Sequence, residues 1–471
     1  MNMMNFRRRG FLGGLAALGA VSGCRNLFAE RRPDLRFGVV SDIHITTPQS
    51  CELLERAFRY FQSRGVDAVM IPGDLADYGT KNAWGFLRQT WDKVFAGTEV
   101  VPLFCTGNHD HEGWWYGDMA VDMLANGYDG SDAVSKLGIA KAWEEVFDEK
   151  YEPIRLRTVR GYDFISVEYG AEKDLAAWMA AHEKRFTGTR PFFHFQHLPV
   201  KGTTMDSYGW ADGGVTKPAL QKYGNCVSFT GHTHCPFNDE RSIWQGEYTA
   251  LAVPSLSYAC GPKGHENGSD NRTGKSTLAM PFISNRRDLR GGQGYVVSVY
   301  GEKMVVERRD LAEGVEGGAA WVVPLPVQDG KPYQYESRAK VAPAPVFPRG
   351  ARVRVSTANT ENRQGHWTIV LTCQFPSAVM PDGSRVYDYE IRAVPEDGSK
   401  PLVKRFLSPA FAKLAKEEPA VQRFWFDVRE LPVEKDYVIE VYARNCYERC
   451  GQALISEVRR TVDFAKVPKR N

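Results

Sequence analysis

Past residue 32 the chain alternates short apolar runs with amphipathic stretches. Segments 36–41, 68–71, 99–105, 162–167, 191–195 and 226–230 are strand-like, several of them almost wholly apolar. That pattern suits strands buried on both faces of a sheet. Between them, segments 52–63, 82–95, 134–151 and 171–186 carry helical periodicity, so an α/β layered domain is expected over 33–320. Segments 294–300 and 303–309 read as two strands around a turn at Gly301 that extend a sheet.

The pattern changes at residue 321. Pro324, Pro326, Pro332, Pro343, Pro345 and Pro348 crowd a stretch without helical period, which predicts a linker over 321–350. Beyond it, segments 353–356, 367–373, 387–393, 424–428 and 437–444 alternate apolar and polar residues between turn signals at Pro381, Asp382 and Gly383 and at Asp397 and Gly398. A small antiparallel β-sandwich is expected over 351–465. By pattern and length it resembles fibronectin type III or immunoglobulin-like modules. Its removal is expected to leave chemistry on small substrates largely intact.

At 471 residues the chain is long enough for two or three domains. With 60 basic and 57 acidic residues the net charge is only +3, and no basic run tracks a phosphate backbone, so no dedicated nucleic-acid partner is indicated. Residues 1–24 read as a signal peptide: Arg7, Arg8 and Arg9 precede a Gly- and Ala-rich apolar run too short to span a bilayer. Arg8, Arg9, Gly10, Phe11 and Leu12 resemble a twin-arginine export motif. Val21, Ser22, Gly23 and Cys24 resemble a lipobox that would make Cys24 an acylated membrane anchor. The expected location is therefore the periplasm or cell envelope. The nine cysteines form no paired Cys-x-x-Cys sets, and Cys446 with Cys450 are either a disulfide or two thiols.

The chemistry sits in five clusters that follow apolar runs in order: Asp42 with His44, Gly73 with Asp74, Gly107 through Asp110, His197, and Gly231 through His234. In an open α/β sheet the carboxyl ends of parallel strands share one edge, where residues distant in sequence converge. Carboxylate, imidazole and amide ligands suit divalent Mn, Fe, Zn or Ni. One ion would leave ligands unused. Two ions about 3.5–4 Å apart that share a carboxylate would use them all, and such a pair clamps a transferring phosphoryl group. Gly73, Gly107 and Gly231 let backbone approach the metals or substrate closely.

These clusters resemble the signature of the calcineurin-like metallophosphoesterases, Asp-x-His, Gly-Asp, Gly-Asn-His-Asp/Glu, His and Gly-His-x-His, across residues 35–310. The resemblance implies a layered metallophosphoesterase sandwich. It implies that Asp42, His44 and His234 hold one metal and Asn108, His197 and His232 the other, with Asp74 bridging. His109 would stabilise the phosphoryl group or protonate the leaving oxygen, and Asp110 would orient His109. The implied reaction is in-line attack of metal-bound hydroxide on a small phosphoester substrate. Gly73, Asp74, Leu75, Ala76 and Asp77 resemble class III cyclic-nucleotide phosphodiesterases more than purple acid phosphatases, which favours diester over monoester cleavage.

Among neighbouring residues, His194 competes with His197 as ligand, but alternation sets it opposite Phe193 and Phe195, which favours His197. His111 is a candidate substrate contact with a solvent-exposed loop histidine as the alternative, and Trp114 and Trp115 are candidate substrate contacts with packing beneath the loop as theirs. Asp206, Tyr208, Trp210 and Asp212 pose the same choice, and Arg286, Arg287 and Arg290 are either an anion site or a solvated cluster. The competing function class is an envelope-anchored binding protein whose metal domain is inert.

Overall fold

The computed structural model describes residues 32–77, 81–112, 138–205, 211–260, 264–266, 291–329, 331–361, 367–412, 419–427, 430–432 and 434–461. The signal segment with Cys24, the pair Trp114 and Trp115, residues Asp206, Tyr208 and Trp210, and the arginines at 286, 287 and 290 lie outside the described residues. No helix among those described is long and apolar enough to cross a membrane.

Strands β1 (Leu35–Val39), β2 (Ala68–Pro72) and β3 (Val101–Cys105) pair in parallel. Their side chains explain the unbroken apolar runs. Phe37, Val39, Ala68 and Met70 face one core, whereas Val40, Val69 and Ile71 face another, beneath helices α1 (Glu52–Ser63) and α2 (Lys81–Phe95). A second sheet runs through β4 (Ile154–Val159), β5 (Tyr162–Val167), β6 (Phe192–Gln196), β7 (Cys226–Thr230), β8 (Ile243–Gln245) and β9 (Thr249–Ala252), in the order β4-β5-β6-β7-β9-β8. The four strands β5, β6, β7 and β9 are mutually parallel, with β4 and β8 antiparallel at the edges. Strands β10 (Gln293–Val299) and β11 (Lys303–Asp310), joined at Gly301, complete the first sheet against β1, with short β12 (Val315–Glu316) on its outer edge.

The two sheets close face to face. Phe37 of the first meets Phe164, Phe193 and Phe229 of the second, with ring centroids 5.4, 5.0 and 5.8 Å apart. Helix Leu175–Ala181 covers the outer face of the second sheet. The result is a mixed α/β sandwich of four layers, α/β/β/α. Close packing is felt at Gly38, where an added Cβ would lie 2.5 Å from the Phe61 ring of α1.

Two sequence expectations need correcting. The linker does not begin at 321: β13 (Trp321–Pro324) pairs with β11, because Trp321, Val323 and Leu325 alternate into the core between the sheets. Segment 171–186 is not one helix but a 3-10 turn followed by Leu175–Ala181 and Glu183–Phe186. Strand β4 went unseen because Arg155 and Arg157 interrupt its apolar pattern.

The C-terminal region is all-β and antiparallel. Strands β14 (Arg354–Glu361), β15 (Trp367–Pro376) and β18 (Val421–Asp427) form one sheet. Strands β16 (Asp388–Pro395), β17 (Leu402–Leu407) and β19 (Asp436–Arg444), with two short pieces beside β19, form the other. One apolar core, with Phe375, Tyr389, Phe406 and Phe424 at its centre, lies between them. Cys446 is buried and Cys450 exposed, and both are free thiols.

This region packs against the first. Ala259 enters a cluster with Tyr387, Leu407, Phe411 and Cys446, and the Arg241 guanidinium lies 5.0 Å from the Tyr387 ring centroid. His265 Nε2 is 2.7 Å from Asp388, whose two oxygens accept from Arg444 Nε and Nη2 at 2.7 and 2.5 Å. Burial would raise the Asp388 pKa, but Arg444 and His265 hold it below the ordinary carboxylate value. Because the folded-state pKa is depressed, the stabilisation is present in full above about pH 4 and is lost as pH falls through the folded value. Asp388→Asn strands a buried guanidinium and is expected to cost about 3–5 kcal/mol, read as a lowered denaturation midpoint at pH 7. The gap between variant and wild type should narrow on acidification, and an equal loss at pH 3 and pH 7 would contradict this assignment.

Candidate metal centre

Every expected ligand stands just past a strand end. Asp42 and His44 follow β1, Asp74 follows β2, and Asn108 and His109 open the short helix α3 (Asn108–Glu112) after β3. His197 follows β6, and His232 and His234 follow β7. The mouth is therefore not one sheet edge, as expected from an open sheet, but the seam where the edges of two stacked sheets meet. Asp42, His44, Asp74 and Asn108 come from the first sheet and His197, His232 and His234 from the second.

The turns that aim these side chains are strained. Asp42, His44, Asp74, His232 and His234 have φ of +53°, +53°, +48°, +67° and +50°, in the left-handed region that non-glycine residues seldom occupy. Each such residue costs of order 1–3 kcal/mol unless its surroundings over-determine it. Here they do: Ile43 and His44 N–H donate to the Asp74 carbonyl at 2.9 and 3.1 Å, and the His232 N–H donates to the Asp42 carboxylate at 3.0 Å. The neighbouring glycines are steric requirements. A Cβ on Gly107 would lie 2.2 Å from Asp74 Oδ1 and 2.4 Å from Asp74 N, and one on Gly231 would lie 2.1 Å from Ser41 Oγ. Gly73 adds a φ of +89° to a collision with the His197 ring.

The geometry brings together two sets that share Asp74. Asp42, His44, Asp74 and His234 converge on one point, and Asp74, His197 and His232 on another. His234 Nε2 is 3.1 Å from Asp42 Oδ1, His44 Nε2 3.7 Å from Asp74 Oδ2, and His197 Nε2 3.1 Å from Asp74 Oδ2. Asn108 Oδ1 and His232 Nδ1 lie 3.0 and 3.2 Å from His197 Nε2.

Proton positions follow from the far side of each ring. His44 Nδ1 faces Asp77 Oδ1 at 2.6 Å, His197 Nδ1 faces the Pro72 carbonyl at 3.0 Å, and His234 Nδ1 faces the Tyr258 carbonyl at 2.7 Å. All three partners are acceptors, so Nδ1 carries a hydrogen in each ring, and in the neutral ring Nε2 presents a lone pair inward. Two such lone pairs, on His44 and His234, are only 3.2 Å apart. Lone pairs facing each other and facing carboxylates repel unless positive charge lies between them. The same demand appears in the titration. Burial alone would lower His197, but Asp74 and Asp42 lift it to about 10; burial would raise Asp42, but His234 and His197 hold it at about 2. A buried, thiolate-free set of carboxylate, imidazole and amide donors fits divalent cations.

His109 stands at the rim, its side chain 30% exposed. Its N–H donates to Asp74 Oδ1 at 2.9 Å, and its ring meets His44 edge-on at 4.6 Å. Burial holds its pKa below the usual imidazole value against the pull of Asp74. Asp110 does not take the expected part beside it. Its carboxylate accepts from the N–H groups of Leu75, Ala76 and Gly107 and from Trp84 Nε1, at 2.8–3.0 Å, and so ties the β2 turn to the β3 turn. The carboxylate nearer His109 Nδ1 is Asp77, at 3.4 Å. Sequence reasoning used Asp77 only for subfamily likeness, although its place three residues past Asp74 was the available signal.

His111 is buried with Nε2 2.8 Å from Thr106 Oγ1, a packing position rather than a substrate contact. His194 faces Ser228 Oγ at 3.0 Å, away from the metal set, as strand alternation requires. Asp212 accepts from the N–H groups of Lys201, Gly214 and Thr216 and orders its own loop. Tyr258, unremarked in the sequence, supplies the carbonyl behind His234 and packs on its ring at 4.1 Å. The next residue, Ala259, packs with Tyr387, Leu407, Phe411 and Cys446 of the C-terminal region, which places that region next to the Tyr258 carbonyl.

Residues 35–236 match the family model of the calcineurin-like phosphoesterases. No curated protein sequence matches the chain. Among solved structures, the chain is similar to GAP50, the anchor in the inner membrane complex of Plasmodium, at 13% identity and a TM-score of 0.35, over 63% of this chain and 89% of that one. It is also similar to purple acid phosphatase PPD1 from yellow lupin (Lupinus luteus) seeds, at 11% identity and a TM-score of 0.38, over 62% of this chain and 53% of that one.

Gly107→Ala should fold yet displace Asp74, weakening metal binding by about 10–100-fold, the range seen when support behind metal ligands is lost. Metal content after dialysis, measured by mass spectrometry, checks this. Undiminished occupancy would mean that the close approach of Gly107 to Asp74 is not required.

Proposed function

From a chain whose residues 35–236 form a calcineurin-like phosphoesterase domain, we propose an exported hydrolase of small phosphoesters that works with two divalent ions. The observation that carries this reading is the sharing of Asp74 between two convergent ligand sets. Asp42, His44 and His234 would hold one ion, and Asn108, His197 and His232 the other. Mn, Fe, Zn or Ni suits the donors. Bound ions of this kind supply positive charge to phosphoryl oxygens and acidify water toward a pKa of about 7.

The chain's own residues contribute orientation and proton control. Asp77 fixes the His44 tautomer, and the carbonyls of Pro72 and Tyr258 fix those of His197 and His234. His109, with Nδ1 turned toward Asp77 and its ring at the rim, is placed to donate a hydrogen bond to the phosphoryl group or a proton to the leaving oxygen. Diester cleavage is favoured over monoester cleavage by the Gly73 to Asp77 sequence alone.

Purified protein with added Mn should turn over aryl phosphodiesters, and aryl phosphomonoesters more slowly, with activity lost to a chelator. His109→Ala should keep its metals and lose about 10²–10⁴ in rate. Metal-loaded protein inert toward both ester classes would favour the binding-protein alternative, and a metal-free His109→Ala would refute the role given to that ring. For the address, Arg8→Lys with Arg9→Lys should leave the protein in the cytoplasmic fraction, and Cys24→Ala should move it from the membrane to the soluble envelope fraction. Unchanged fractionation would refute the twin-arginine and lipobox assignments respectively.

A further inference from the structure

A second cavity, of about 350 Å³, opens between the two sheets on the side of β3, β4 and β5. Its size falls within the range of about 300–1,000 Å³ usual for small-molecule sites. Among the described residues its walls carry six aromatic rings, those of Trp91, Phe104, Trp143, Phe147, Phe164 and Phe195. None of the residues assigned to the metal centre lines it.

Arg88, Arg157 and Ser166 also line it, and two donor atoms of its lining residues make no hydrogen bond. Arg155 and Trp143 are 6% and 1% exposed, and Arg155 Nη1 and Trp143 Nε1 are buried donors with no hydrogen bond. A buried donor left without an acceptor is destabilising, and more so for a charged group. The Arg155 guanidinium lies over the Trp143 ring at 4.5 Å, which sets both donors at one place on the wall. The guanidinium is fixed there, because Nη2 donates to Glu168 Oε1 and to the Phe104 carbonyl, both at 2.6 Å. Asp148 and Glu149 also line the cavity, with Glu149 Oε1 2.6 Å from Arg157 Nη2 and 3.7 Å from Arg155 Nε.

Adjacent N–H groups from a guanidinium and an indole match the two oxygens of a carboxylate, and ringed walls match an aromatic body. We propose that this cavity binds a small aromatic monocarboxylate through Arg155 and Trp143, and that occupancy is felt at the turn carrying Asn108 and His109. The link is short. Glu168 Oε2 accepts from Thr106 N and Oγ1 at 2.7 and 2.5 Å, and Thr106 Oγ1 lies 2.8 Å from His111 on α3.

Calorimetric titration of the full chain with 3-phenylpropionate and with 3-phenylpropan-1-ol tests the binding independently of any turnover. One saturable site is expected for the acid, with the alcohol at least about tenfold weaker, the ratio that about 1.4 kcal/mol produces. Trp143→Phe keeps the ring and removes only the N–H, so it should weaken the acid by a similar factor. Should that variant fail to fold, Phe147→Trp, which narrows the cavity and leaves both donors, should abolish binding. Equal affinity for acid and alcohol, no saturable heat, indifference to these substitutions, or a crystal soak showing only water on Arg155 and Trp143 would overturn the site. Binding without any change in amide exchange at residues 106–109 would overturn the coupling.

Discussion

The structure turns on a concentration of buried carboxylates and inward-facing imidazole nitrogens that calls for positive charge at its centre. Asp42 and Asp74 are buried, and acceptors placed behind the surrounding imidazoles hold Nδ1 as the donor and turn Nε2 inward, toward the carboxylates. Ordinary protein interiors avoid such an arrangement, since an unpaired buried charge costs several kcal/mol. A divalent cation at the convergence point would compensate it, and the acceptors behind the rings would orient the imidazoles toward that ion.

Holding that arrangement in place calls for a rigid frame on both sides. The aromatic contacts of Phe37 with Phe164, Phe193 and Phe229 lock the two sheets together just behind the mouth. Five ligand residues sit in left-handed backbone, and glycines are packed against their side chains and amides. Strain of this kind persists only where surrounding contacts leave the chain no relaxed alternative. Asp110 is one such contact, a buried carboxylate that joins the β2 and β3 turns through four donors. The C-terminal region is another, because it grips Ala259 beside the carbonyl that orients His234.

The ligand types, their order, and their positions after apolar runs were all legible in the chain, because metal chemistry restricts which side chains serve and parallel strands restrict where they emerge. So was the α/β-then-β division, since a period of two and a period near 3.6 are set by local geometry. Strand β4 was hidden because Arg155 buries its charge against Glu168 and Arg157 pairs with Glu149, partners that no local pattern reveals. The segment at 321 was misjudged because its prolines flank, rather than interrupt, an alternating apolar strand.

The sequence alone thus determined which atoms are offered to a metal, because donor chemistry belongs to residue type. Tertiary structure decided that they meet across two sheets rather than along one, that Asp77 rather than Asp110 lies nearer His109, and that His111 is packing. Those outcomes depend on which residues lie across a gap of a few ångströms, and sequence separation carries no record of that distance.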